Sequence, residues 1–176
     1  MDNDLEYKII KPGKPLSDFV DSFWFLHNQS DSNKETTGLP DGRIDLSLFK
    51  SATEPFSIVL LGVGTQYAEA TIPANTLMFV VSFKLPAVEY IFRETIADIV
   101  DSGKLLPTDF WDFNAGDLGN FENFCEKASE KIADHFGSLS TSNRPFWLPC
   151  GGLRPRCFQP LPLRQRPLAV RAMRPS

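Results

Sequence analysis

The chain has 176 residues, 42% hydrophobic and 23% charged, with a net charge of −4, a length that suits one domain with a real core. No apolar run approaches the roughly 20 residues of a membrane span, and the acidic start MDNDLEYK is unlike a secretory signal, so a cytoplasmic protein without membrane contact is expected. Three cysteines without paired spacing (Cys125, Cys150 and Cys157) and only two histidines (His27 and His135) fit neither a disulfide framework nor a metal site, so neither metal nor cofactor is expected.

Residues 5–11, LEYKIIK, alternate loosely before Pro12-Gly13 and predict a first strand. LSDFVDSFWFLHN predicts a helical turn at 16–20 that passes into a strand at 21–27, and the polar cluster 28–38 predicts a loop or hairpin tip. In LPDGRIDLSLF (39–49), Asp41-Gly42 is a turn dipeptide feeding a strand. Ile44, Leu46 and Leu48 fall on one face of that strand and Arg43, Asp45, Ser47 and Phe49 on the other. FSIVLLGVG (56–64) reads as a buried strand weakened at its far end by Gly62 and Gly64, YAEATI swings from polar to apolar, and TLMFVVSF (76–83) is the next strand.

At Pro86 the period changes. Val88, Ile91 and Phe92 recur at helical spacing, IADIVDSG repeats the pattern up to Gly103, and TDFWDFNAGDLGN predicts an aromatic loop. Asn120 is a suitable N-cap for FENFCEKASEKIADHFG, whose Phe121, Phe124, Cys125, Ala128, Ile132 and Phe136 form one stripe closed by Gly137. Strands followed by helices predict an α+β domain built on a small antiparallel β-barrel.

The last 33 residues are unlike the rest. Residues 144–176 hold seven Arg and seven Pro with no Lys, Asp or Glu, so they carry +7 against −11 for residues 1–143. They have no helical or strand period. Translation out of frame accounts for the Arg-for-Lys exchange, the prolines and the lost period together; a disordered extension and a nucleic-acid-binding arm are the alternatives.

PLSDFVDSFWFL, LPDGRIDLSLF, LLGVGTQ and MFVVSFKLPAVEYIF, in this order and followed by DFW at 109–111, resemble the N-terminal effector domain of AraC-type transcriptional regulators over about residues 5–137. The resemblance implies a cupin-like domain, residues 1–137, that senses a small-molecule effector and mediates homodimerisation. Residues 138–176 are then linker and tail. It also implies DNA binding through a C-terminal pair of helix-turn-helix motifs, which this chain does not contain, so a truncated regulator is expected and a stand-alone cupin-like binding protein is the alternative.

The strand period does not say which way the Arg43/Asp45 face points. A solvent-facing pair worth at most about 1 kcal/mol is the expected arrangement. Were that face to line a barrel, Trp24, Arg43 and Asp45 would be the candidate ligand-binding residues, since such sites join aromatic walls to a few polar groups. Phe124, Ala128 and Phe136 on the last helix are the candidate dimer seam. No nucleophile and base are placed together by any motif, so no catalytic residue is assigned and no enzyme is expected.

Overall fold

The computed structural model describes residues 4–92 and 95–137; the Arg/Pro tail lies outside them. Among the described residues eight strands precede a single long helix: β1 (Leu5–Ile10), β2 (Val20–Asn28), β3 (Lys34–Gly38), β4 (Ile44–Lys50), β5 (Ser57–Leu61), β6 (Ala68–Ile72), β7 (Thr76–Phe83), β8 (Gly103–Leu106) and α1 (Phe121–Gly137). Six of them form one antiparallel sheet in the order β1-β2-β7-β4-β5-β8, and β3 pairs with β6 alone. The class is therefore α+β, as the order of elements predicts. Because β3 and β6 pair only with each other, the two sheets stay separate and close no barrel.

Alternation divides the large sheet into two faces. Phe23, Phe25, Leu46, Leu48, Phe79 and Val81 point to one side, where they bury against Phe121, Phe124, Ala128 and Ile132 of α1. Rings meet edge to face at this seam, with centroids 5.0 Å apart for Phe25–Phe121 and 5.3 Å for Phe79–Phe121. Such pairs add about 0.5–1.5 kcal/mol beyond the area they bury. Asn120 caps the helix as predicted, its side-chain oxygen accepting from the Asn123 N–H at 2.9 Å.

This packing corrects the proposed dimer seam. Phe124 and Ala128 are completely buried inside their own chain, because the apolar face of the sheet needs a cover and α1 supplies it. The side chain of Phe136 lies outside the described residues.

Three local expectations also change. The second half of the 28–38 cluster is β3, a polar strand that hydrophobic alternation cannot reveal because it is held by its ladder to β6, Lys34 opposite Ile72 through Gly38 opposite Ala68. The helix expected after Pro86 is a single π-type turn, Val88–Phe92, rich in β-branched and aromatic residues that are middling helix formers. IADI winds only one 3-10 turn, and Gly103 opens β8 rather than ending a helix. The chain must return there to pair with β5: the Gly62 N–H donates to the Ser102 carbonyl and the Asp101 N–H to that of Val63, both at 2.9 Å.

Candidate functional site

The second face of the large sheet, with β3 and β6 opposite, bounds a cavity of about 470 Å³. Register explains its floor. Asp45 and Ser22 both stand opposite Ser82 on β7, while Ser47 and Trp24 stand opposite Val80, so these side chains share a face. Trp24, Asp45, Ser47, Ser82 and Met78 line the cavity from the large sheet, and Thr36 and Ala70 face them from the small one. Tyr7 and Ile9 of β1 extend the apolar wall, with the Tyr7 and Trp24 rings 5.8 Å apart.

All three predicted ligand residues, Trp24, Arg43 and Asp45, line this cavity. Asp45 does not take the expected solvent-facing arrangement, because Ile44, Leu46 and Leu48 take the α1 face and leave their neighbours the face under the small sheet. Arg43 stands at the margin, about a third exposed, and pairs with Asp21 at 3.2 Å and Asp41 at 3.5 Å. The turn before it is set as predicted: Gly42 takes φ +70° and the Arg43 N–H donates to the Asp41 carboxylate at 3.0 Å. Partial burial would raise the carboxyl pKa of Asp21, yet hydrogen bonds from Lys11 and Ser22, with the Arg43 charge, hold it below the usual value.

A directed chain of hydrogen bonds fixes the floor. The indole N–H of Trp24 donates to Ser82 Oγ at 3.0 Å, and the Ser82 hydroxyl donates to Asp45 Oδ1 at 2.5 Å. No donor among the described residues reaches the other Asp45 oxygen. Burial pushes the Asp45 carboxyl up to about 6; the Ser82 bond and Arg43 pull it down, while Asp41 and Asp21 add to the rise. Beside it, Ser47 Oγ is buried with no hydrogen-bond partner among the described residues. An orphaned buried hydroxyl costs about 1–3 kcal/mol, a penalty that a bound polar group would relieve.

Ser82, Ser47 and Tyr7 were not assigned from the sequence. A lone Ser near the end of the apolar run TLMFVVSF was the available signal for Ser82, but only the register β2-β7-β4 brings it between Trp24 and Asp45. Elsewhere the structure offers less chemistry. Burial pushes the Cys125 thiol up to about 12, which makes it a packing group, and among the described residues no cluster of His, Cys, Asp and Glu is placed to hold a metal ion. No helix among them is long and apolar enough to cross a membrane.

The architecture is that of an α+β domain, an antiparallel sheet with a helix behind it. The chain belongs to the family of a domain of unknown function, DUF6597, whose profile matches residues 8–103. That stretch holds every cavity-lining residue except Tyr7 and leaves α1 outside. No curated protein and no solved structure matches the chain.

Proposed function

We propose that residues 1–137 are the ligand-sensing regulatory domain of an AraC-type transcriptional regulator, in which a small molecule held between the two sheets biases the domain between states. The observation that supports this best is the cavity itself, with a partly buried carboxylate and an unpartnered buried hydroxyl on a floor otherwise walled by aromatic and aliphatic groups. The order of motifs described above supplies the family analogy. A ligand shifts such a domain only by its different affinity for the two states.

In this reading the protein works in the cytoplasm, as a homodimer without catalysis. DNA contact falls to a helix-turn-helix module, for which the one α-helix among the described residues does not suffice. Because the α1 inner face is spent on the core, a dimer would use another surface.

The second reading, a stand-alone small-molecule binding protein, uses the same cavity, so the experiment must separate the two. A thermal-shift screen of chemically diverse small molecules should yield a compound that raises Tm of the wild type by several degrees and leaves Ala70→Trp, which fills the cavity from β6, unmoved. Sedimentation with that compound then decides: a shifted monomer–dimer equilibrium supports the regulator, and an unchanged one favours the stand-alone binder. A screen without any cavity-dependent compound would sink both.

A further inference from the structure

Resting on the ligand-sensing reading, we propose that the cavity takes a small primary amine with an apolar, ring-sized body, its ammonium group seated on Asp45. The charge lining the cavity sets the sign. Among the described residues four carboxylates line it, Asp41, Asp45, Glu54 and Asp101, against the single guanidinium of Arg43, and Arg43 is engaged by Asp21 and Asp41. Asp101 is bonded to the Thr65 N–H and hydroxyl at 2.9 and 2.7 Å. Asp45 has one oxygen occupied by Ser82 and the other unreached by any donor among the described residues.

What remains open at the floor is therefore mostly acceptor capacity. Ser82 Oγ already accepts from Trp24 and donates to Asp45, so it has little left to offer. Ser47 can still donate or accept, and it lies two residues along β4 from Asp45 on the same face, roughly 7 Å away. A ligand anion would meet Asp45 without a nearby unpaired cation, whereas an ammonium would meet a carboxylate, a hydroxyl and the rings of Trp24 and Tyr7, which attract cations. Phe49, Met78 and Leu26 receive the body of the molecule.

The elevated Asp45 carboxyl fits this use, since burying it without a counter-ion is what raises it and an ammonium would reverse the effect. The charged and titratable groups around it are Asp21 of β2, Tyr7 of β1, Asp41 and Arg43 ahead of β4, with Glu54 and Asp101 elsewhere on the cavity wall. Protonation of Asp45 below about pH 6 removes the negative charge that the amine needs.

Isothermal titration of the full chain with tryptamine, tryptophol and indole-3-propionate tests this, because the three share a ring and differ in the charge of the side chain. At pH 7.5 tryptamine should bind at least tenfold more tightly than tryptophol, with indole-3-propionate weakest. Its affinity should fall about tenfold at pH 5. Asp45→Asn should erase both the preference and the pH dependence while still binding tryptophol. Equal binding of all three, abolished by Ala70→Trp, would overturn the amine preference and leave ligand sensing standing. A preference or pH dependence that survives in Asp45→Asn would also overturn it, as would no binding of tryptamine at either pH; the diverse screen then judges the sensing reading separately.

Discussion

Asp45 is held in a folded environment that favours its protonated form, and the sign of the resulting pH dependence follows. Its carboxyl ionises near 6 when folded and in the ordinary carboxylate range when unfolded, so its favourable contribution is fully present below that range and is lost as pH rises through about 6. The loss amounts to about 3 kcal/mol at neutral pH. Asp45→Asn should therefore raise stability in urea at pH 7.5 by up to that amount and change little at pH 3.5. Asp21 runs the other way, its lowered carboxyl losing stability as pH falls, which is why the variant must be read against wild type at each pH. Ser82→Ala removes the donor to Asp45 and the acceptor of Trp24; a loss of about 2 kcal/mol is expected, with the ionisation of Asp45 displaced above 6, a change that NMR titration of the carboxyl carbon would report. At this scale the sequence was legible in part. The two-residue period put Asp45 beside Arg43 and Ser47, but no local pattern says which face meets the core. That choice is made by the partner, since Ile44, Leu46 and Leu48 are needed under α1.

Elements were easiest to read where one face carries the apolar load. β2, β7 and α1 lie close to where their patterns put them, and α1 was recognisable by its cap and stripe. β3 and β8 were missed because ladder hydrogen bonds, and not side-chain burial, hold them: KETTG is largely exposed and GKLL pairs only with β5. The α1 stripe was legible as a stripe but not as intrachain core, since a buried face and a subunit seam share one pattern. Ala128→Arg separates the two. An uncompensated charge under the sheet should cost about 3–5 kcal/mol and show as loss of cooperative unfolding at any protein concentration. Dependence on protein concentration would restore the seam. Gly62 is the tightest joint between elements, because a Cβ there would lie 1.5 Å from the Ile99 carbonyl oxygen. Gly62→Ala should force β5 and the 3-10 turn apart, costing about 3 kcal/mol in chemical denaturation.

The described residues join a heavily packed half to a lighter one. The large sheet with α1 carries the main apolar cluster, whereas β3 and β6 form a two-stranded cover over the cavity. A hairpin-sized sheet is marginal by itself, so the way it is fastened matters. More of the fastening lies at one end, while at the other Thr65, just ahead of β6, is bonded to Asp101. The buried Asn28 amide donates to the carbonyls of Ser32 and Pro73 at 3.0 and 2.9 Å, Asn75 reaches Asp31 at 3.1 Å, and the Ala74 N–H meets Asn33 at 3.0 Å, all beside the Lys34–Ile72 end of the ladder. A plate clamped along one edge behaves as a cantilever, its deflection growing with distance from the clamp. Amide hydrogen exchange should accordingly quicken from Lys34 and Ile72 toward Gly38 and Ala68, and Asn28→Ala should flatten that gradient by loosening the clamp. Such a lever would convert a load placed under its middle into movement at its far tip, beside the Asp41-Gly42 turn, which makes that turn the place to attach a probe of whether anything is held beneath.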